Sequence, residues 1–164
     1  MMLNKKQLPK YEFSKEGHDK LVAEKGQLAK DRELAVEDLA NARSMGDLSE
    51  NGYYKAARAK LSSIDSRIRR VNLMIKYAVI IEKNNSGLVS FGSKVKVLVR
   101  RIPRQAKGRE MEFEIVGREE ADPGEGKLSN ASPIGKALLN KGRGEKVIVK
   151  IPAGEIEYEI LEVK

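Results

Sequence analysis

Tyr54, Ala57, Leu61, Ile64, Ile68, Val71, Ile75 and Ala78 place apolar residues at alternating steps of three and four. Sustained over several turns, that repeat is the seam of an α-helix lying against another helix. A partner stands just upstream, where Leu21, Leu28, Ala35 and Ala42 recur at seven-residue spacing with Leu39 beside them. Residues 14–82 contain no proline. Ser14 is suited to cap the first helix, with Glu16 in its first turn where the helix dipole favours negative charge. Gly46 lies where that helix should end, and glycine tolerates the left-handed cap conformation. The expectation is two helices of ~30 residues in an antiparallel hairpin about 45 Å long. The seam itself reports packing rather than chemistry. Its consequence is that the far end of the rod is displayed.

After Asn84-Asn85-Ser86-Gly87 the period changes from that of a helix to that of a strand. Alternating apolar residues over 95–99, 111–116, 147–151 and 156–160 predict four strands. Pro152-Ala153-Gly154 suits a tight turn between the last two. Ser132 and Pro133 predict the start of one helix, with Ile134, Ala137 and Leu138 as its apolar side and Lys141-Gly142 as its close. Residues 100–108 and 119–127 read as loops. The chain is therefore expected to be α+β: residues 1–83 an N-terminal two-helix coiled-coil hairpin, 84–90 a linker, and 91–164 a small domain with an antiparallel sheet and one packed helix.

Composition removes several function classes. There is no cysteine and only one histidine, His18, so thiolate and His-rich metal sites and a Ser-His-Asp site are not expected. Aromatic residues make up 5% of the chain, too few for a base-stacking platform. No glycine-rich run has the strand-loop-helix context of a phosphate-binding loop. No apolar run approaches the ~20 residues that span a bilayer, and the N-terminus lacks an apolar signal core. A soluble, intracellular protein with no membrane partner is expected. The net charge of +8, spread over both halves, favours anionic partners.

The run MGDLSENG, residues 45–52, falls between the two helical segments. Asp47 and Glu50 have the spacing of a capping box, and both could serve only to start the second helix. The same two carboxylates at the end of a rod are also half of a hard-cation site. Mg²⁺ prefers six oxygens, so they would hold it only if a partner supplied the rest. The two readings are compatible, because a capped turn is a rigid one.

The run ARSMGDLSENGYYKAA, residues 42–57, resembles the tip motif of the bacterial Gre transcript-cleavage factors. SKEGHDKL (14–21), FGSKVKV (91–97), EIVGREEAD (114–122) and SNASPIGKALLNKGRGEKVIVKIPAGEIEYEI (129–160) resemble the rest of that family, so the likeness covers nearly the whole chain. The resemblance implies an FKBP-like C-terminal domain that docks on RNA polymerase near the rim of its secondary channel. It implies a hairpin that enters the channel and brings Asp47 and Glu50 to a Mg²⁺ shared with the polymerase active site, beside the 3′ end of the nascent RNA. The polymerase would then hydrolyse backtracked RNA, and this chain, acting as a monomer, would not itself be an enzyme. Ser49, Asn51 and Tyr53 would support the tip.

The chain departs from the family pattern at Tyr53, where an acidic residue usually precedes the tyrosine. A less negative tip implies weaker metal recruitment, and a channel-binding regulator without strong cleavage stimulation is the alternative reading. Tyr53 could stack on a base or simply pack at the edge of the seam. Along the second helix Lys55, Arg58, Lys60, Arg67, Arg69, Arg70 and Lys76 are opposed within that helix only by Asp65. Such a block is either a solvated face or a track for a phosphate backbone. Arg58, Arg67 and Arg70 are the residues expected to contact RNA. A third reading treats the rod as a mere spacer in an adaptor.

Overall fold

The computed structural model describes residues 9–45, 52–82, 87–102, 108–152 and 154–164. It divides into two compact units: His18–Ala78 form one, and Tyr11–Gly17 with Val79–Lys164 form the other.

The first unit is built on α1 (Lys15–Ser44) and α2 (Gly52–Lys76). The expected seam is realised in part: Met74, which lies outside it, is buried, while Ile75 within it is half-buried. Ala57, Val71 and Met74 of α2 are buried, as are Leu21, Ala35 and Ala42 of α1. Three ion pairs fix the direction of the two helices. Glu24 pairs with Arg67, Arg32 with Asp65, and Asp38 with Lys60. Ascending α1 thus descends α2, as an antiparallel hairpin requires. Ser14 caps α1 as expected, its Oγ accepting from the Gly17 N–H at 2.9 Å.

The helical reading of residues up to 82 needs correction at its end. α2 stops at Lys76, and Ala78–Ile80 form a short strand, β2, paired with β1 (Tyr11–Phe13). Ala78 fits the heptad by spacing, yet its backbone is extended. Val79 and Ile80 are β-branched and satisfy their backbone in a ladder instead.

The second unit holds a five-stranded sheet in the order β5-β4-β3-β7-β6. Its strands are β3 (Lys94–Ile102), β4 (Arg109–Val116), β5 (Lys127–Ser129), β6 (Lys146–Ile151) and β7 (Gly154–Val163). The sheet is mixed rather than wholly antiparallel, because β5 runs parallel to β4. The two expected loops are partly regular. β3 continues through Arg100 to Ile102, and residues 119–127 contain a 3₁₀ turn, Pro123–Glu125, followed by the start of β5. α3 (Pro133–Leu138) starts at the Ser132 cap as expected but ends before Lys141, at Leu139. Asn140 takes up the left-handed conformation beyond it, with φ 62°.

The core of this unit is Val89, Val95, Val97, Ile115, Leu138, Tyr158 and Ile160, with Val147 and Val149. Residues 88–90 are part of this unit rather than spacer: Val89 is fully buried and Leu88 bridges Gly142. The opposite sheet face is striped by charge. Glu110, Glu112 and Glu114 line β4, Lys94, Lys96 and Arg100 line β3, Glu155, Glu157 and Glu159 line β7, and Lys146 and Lys150 line β6. Ion pairs join neighbouring stripes, from Lys96–Glu110 through Arg100–Glu159 to Lys150–Glu155. Opposite charges across strands favour this register over a slipped one.

Candidate functional site

The displayed end of the hairpin is reached from both sides. α1 ends at Ser44, followed by Met45 with 69% of its surface exposed. α2 begins at Gly52, and Tyr53 is exposed while Tyr54 turns into the seam. Asp47, Ser49, Glu50 and Asn51 lie outside the described residues. Among the described residues no group of three or more His, Asp or Glu side chains is placed to hold a metal ion.

The basic residues of α2 do not form one face. Arg58 and Arg67 are nine residues apart, which at about 100° per residue puts them on opposite flanks of the helix. Arg67 turns toward α1, where its Nε and Nη2 donate to the Glu24 carboxylate at 2.5 and 2.8 Å. Lys60, seven residues earlier on the same flank, donates to Asp38 at 2.8 Å. The hydrogen bond and charge of Asp38 raise the Lys60 pKa. Arg70 sits a turn from Arg67 and is exposed. The stripe that contains Arg58 is continued by Arg69 and Lys76, which follow it by eleven and eighteen residues and so return to the same side. Arg69 donates to Ser66 within α2 at 2.8 Å, and the Lys76 ammonium lies 5.4 Å from the Tyr77 ring centre. Arg58 has no ion-pair partner among the described residues.

The acids that answer α2 are Glu24, Asp31 and Asp38 on α1, again at seven-residue spacing. Sequence reasoning weighed the charges within α2 and missed them. The signal was present, because these acids fill alternate seam positions between Leu21, Leu28, Ala35 and Ala42. In the second unit, Glu120 accepts from the Ser14 N–H at 2.8 Å and from the Ser14 hydroxyl at 2.5 Å. Glu12 accepts from the Asn130 side chain at 2.6 Å. The first turn of α1 and the strand before it are thereby tied to the segment between β4 and α3.

Two family descriptions match the chain. "Transcription elongation factor, N-terminal" covers residues 11–80, and "Transcription elongation factor, GreA/GreB, C-term" covers 83–164. The chain belongs to the GreA/GreB family. It is 43% identical over 166 residues to the transcription elongation factor GreA of Geobacillus kaustophilus, covering 99% of this chain and 100% of that one. The GreA proteins of Bacillus cytotoxicus (43% over 157 residues, 94% of this chain and 96% of that one) and Thermodesulfovibrio yellowstonii (42% over 151 residues, 90% and 92%) are similarly related. The hairpin and the mixed-sheet unit of this GreA/GreB member coincide closely with the two matched regions. No helix among the described residues is long and apolar enough to cross a membrane.

Proposed function

We propose that this chain is a bacterial transcription elongation factor that binds RNA polymerase and stimulates the polymerase's own hydrolysis of backtracked RNA. The observation that carries the reading is the near end-to-end relation to proteins named transcription elongation factor GreA, at 43% identity. The hairpin supports it physically. An apolar seam braced by ion pairs along its flanks is a stiff way to carry a short acidic segment. The second unit does the docking, at the rim of the polymerase secondary channel, and the hairpin reaches toward the 3′ end of the nascent RNA.

Asp47 and Glu50 are the residues that would hold Mg²⁺ together with the polymerase. Such an ion lowers the pKa of bound water and stabilises the leaving oxygen. Arg58, with Arg69 and Lys76 on its stripe, would meet RNA phosphates, whereas Arg67 is already engaged by Glu24. The test is an RNA cleavage assay on a backtracked elongation complex in Mg²⁺, comparing the intact protein with Asp47→Asn/Glu50→Gln. Shortening of labelled RNA that the double variant abolishes is the expected result. Binding to polymerase without shortening would favour a channel-binding regulator, and Tyr53, which stands where an acid is usual, would be its cause. Tyr53→Asp would then be expected to gain cleavage.

A further inference from the structure

The sheet of the second unit runs past its own core. On the face that carries the core, β3 reads Val95, Val97, Val99, Arg101, and β4 reads Ile115, Phe113, Met111, Arg109. Val95, Val97 and Ile115 are fully buried, Val99 and Phe113 partly so, and Arg101 and Arg109 are exposed. Val99 pairs with Arg109, so Arg101 is the diagonal neighbour of Arg109, about 7–8 Å away across the ladder. The facing residue of β7 is Ile156, which pairs with Arg101 and carries no charge.

These two arginines differ from the cations of the opposite face. Lys96, Arg100, Lys146 and Lys150 are each ion-paired there. The guanidinium groups of Arg101 and Arg109 have neither an ion pair nor a hydrogen bond among the described residues, and residues 100–109 include no acid. Two exposed guanidinium groups left unpaired on the core-side face of a strand pair are poorly explained by stability. Like charges at diagonal positions cost free energy in the free protein. That cost is recovered against a polyanion.

We propose that the overhanging end of the β3–β4 ribbon, with Arg101 and Arg109, is a contact surface for the phosphate backbone of duplex DNA. Arginine offers planar, paired donors that match phosphate oxygens. The described part of the ribbon end has no aromatic side chain, so it lacks the stacking platform that a single strand needs. A duplex, whose bases are already stacked and whose phosphates face outward, makes no such demand. This surface belongs to the second unit alone and stands whether or not the cleavage reading holds.

The test uses the full chain and a labelled mixed-sequence DNA duplex, with fluorescence anisotropy measured across a salt series. Arg101→Gln/Arg109→Gln should weaken binding and flatten the plot of log affinity against log salt by roughly 2, since each phosphate contact contributes about 0.9. Arg101→Lys/Arg109→Lys should keep most of the slope, which separates charge from fold. Lys150→Gln/Lys164→Gln, which removes the same charge from ion-paired positions, should leave the slope near that of the parent. An unchanged slope in the Arg→Gln pair, or an equal drop in the lysine control, overturns the proposal. Loss confined to single-stranded RNA, or to binding of polymerase protein without nucleic acid, overturns it in favour of those partners.

Discussion

Gly135 shows how one hydrogen atom in place of a methyl group holds a site in place. It is the third residue of α3, a helix of six residues, and it is buried. On an exposed helix glycine is a liability, and alanine gains up to about 1 kcal/mol there. At Gly135 the sign should reverse. A Cβ would fall on the Ser129 carbonyl oxygen, which is backbone and already accepts from the Ser132 hydroxyl and N–H. The Ser132 Oγ in turn accepts from the Gly135 N–H at 3.0 Å and caps the helix. Alanine must therefore push β5 and the cap apart together. Gly135→Ala is expected to destabilise the protein by about 1–3 kcal/mol, the ordinary range for overpacking, read as a lower urea midpoint. Gly26 in α1 is the control: its Cβ would meet nothing within 4 Å, so Gly26→Ala should stabilise.

At the scale of elements, charge sets the pairing of both the helices and the strands. Glu159 on β7 accepts from Arg100 on β3 at 2.6 Å, with Lys146 of β6 3.5 Å away on the other side. The Arg100 hydrogen bond is the largest influence holding the Glu159 carboxyl below its ordinary value, helped by Lys146. A carboxylate depressed in the folded state stabilises it above its unfolded pKa, about 4.3. That contribution is lost as pH falls through the folded value. Glu159→Gln should therefore lower the urea midpoint near pH 7, and the gap should shrink progressively as pH falls below about 4.3. A gap that persisted in acid would mean that packing, not charge, accounts for it. Much of this arrangement was legible in the residues, because the heptads and the alternating Glu/Lys strands carry their own periods. What was not legible depended on partners distant in sequence. Ala78 satisfied the heptad but was claimed by residues 11–13, which a reading along one helix does not see. Arg101 broke the apolar alternation of β3, so the strand was cut short at the residue that makes its end interesting. β5 is three residues long and parallel, too short to show a period. Arg58, Arg67 and Arg70 were grouped by charge, although spacing alone already puts Arg58 and Arg67 on opposite flanks.

For the molecule as a whole, the distribution of ligands decides where chemistry can happen. Among the described residues several carboxylates of the first unit are paired with cations: Glu24 with Arg67, Asp38 with Lys60, Asp65 with Arg32. Glu110, Glu155, Glu157 and Glu159 of the sheet face are paired likewise, and among the described residues no group of three or more acids or histidines is placed to enclose an ion. Asp47 and Glu50 are the carboxylates of the tip motif, and two carboxylates cover only part of the six oxygens that Mg²⁺ demands. A factor built this way should be inert toward the metal until a partner completes the shell. Calorimetric titration of the free protein with MgCl₂ is expected to give no saturable heat in the low-millimolar range, for the intact chain and for Asp47→Asn/Glu50→Gln alike. Repeated on a backtracked elongation complex, the Mg²⁺ dependence of cleavage should shift to lower concentration with the intact chain and not with the double variant. Tight binding by the free protein would mean that it carries a complete site of its own, and the shared-ion reading of the tip would fall with it.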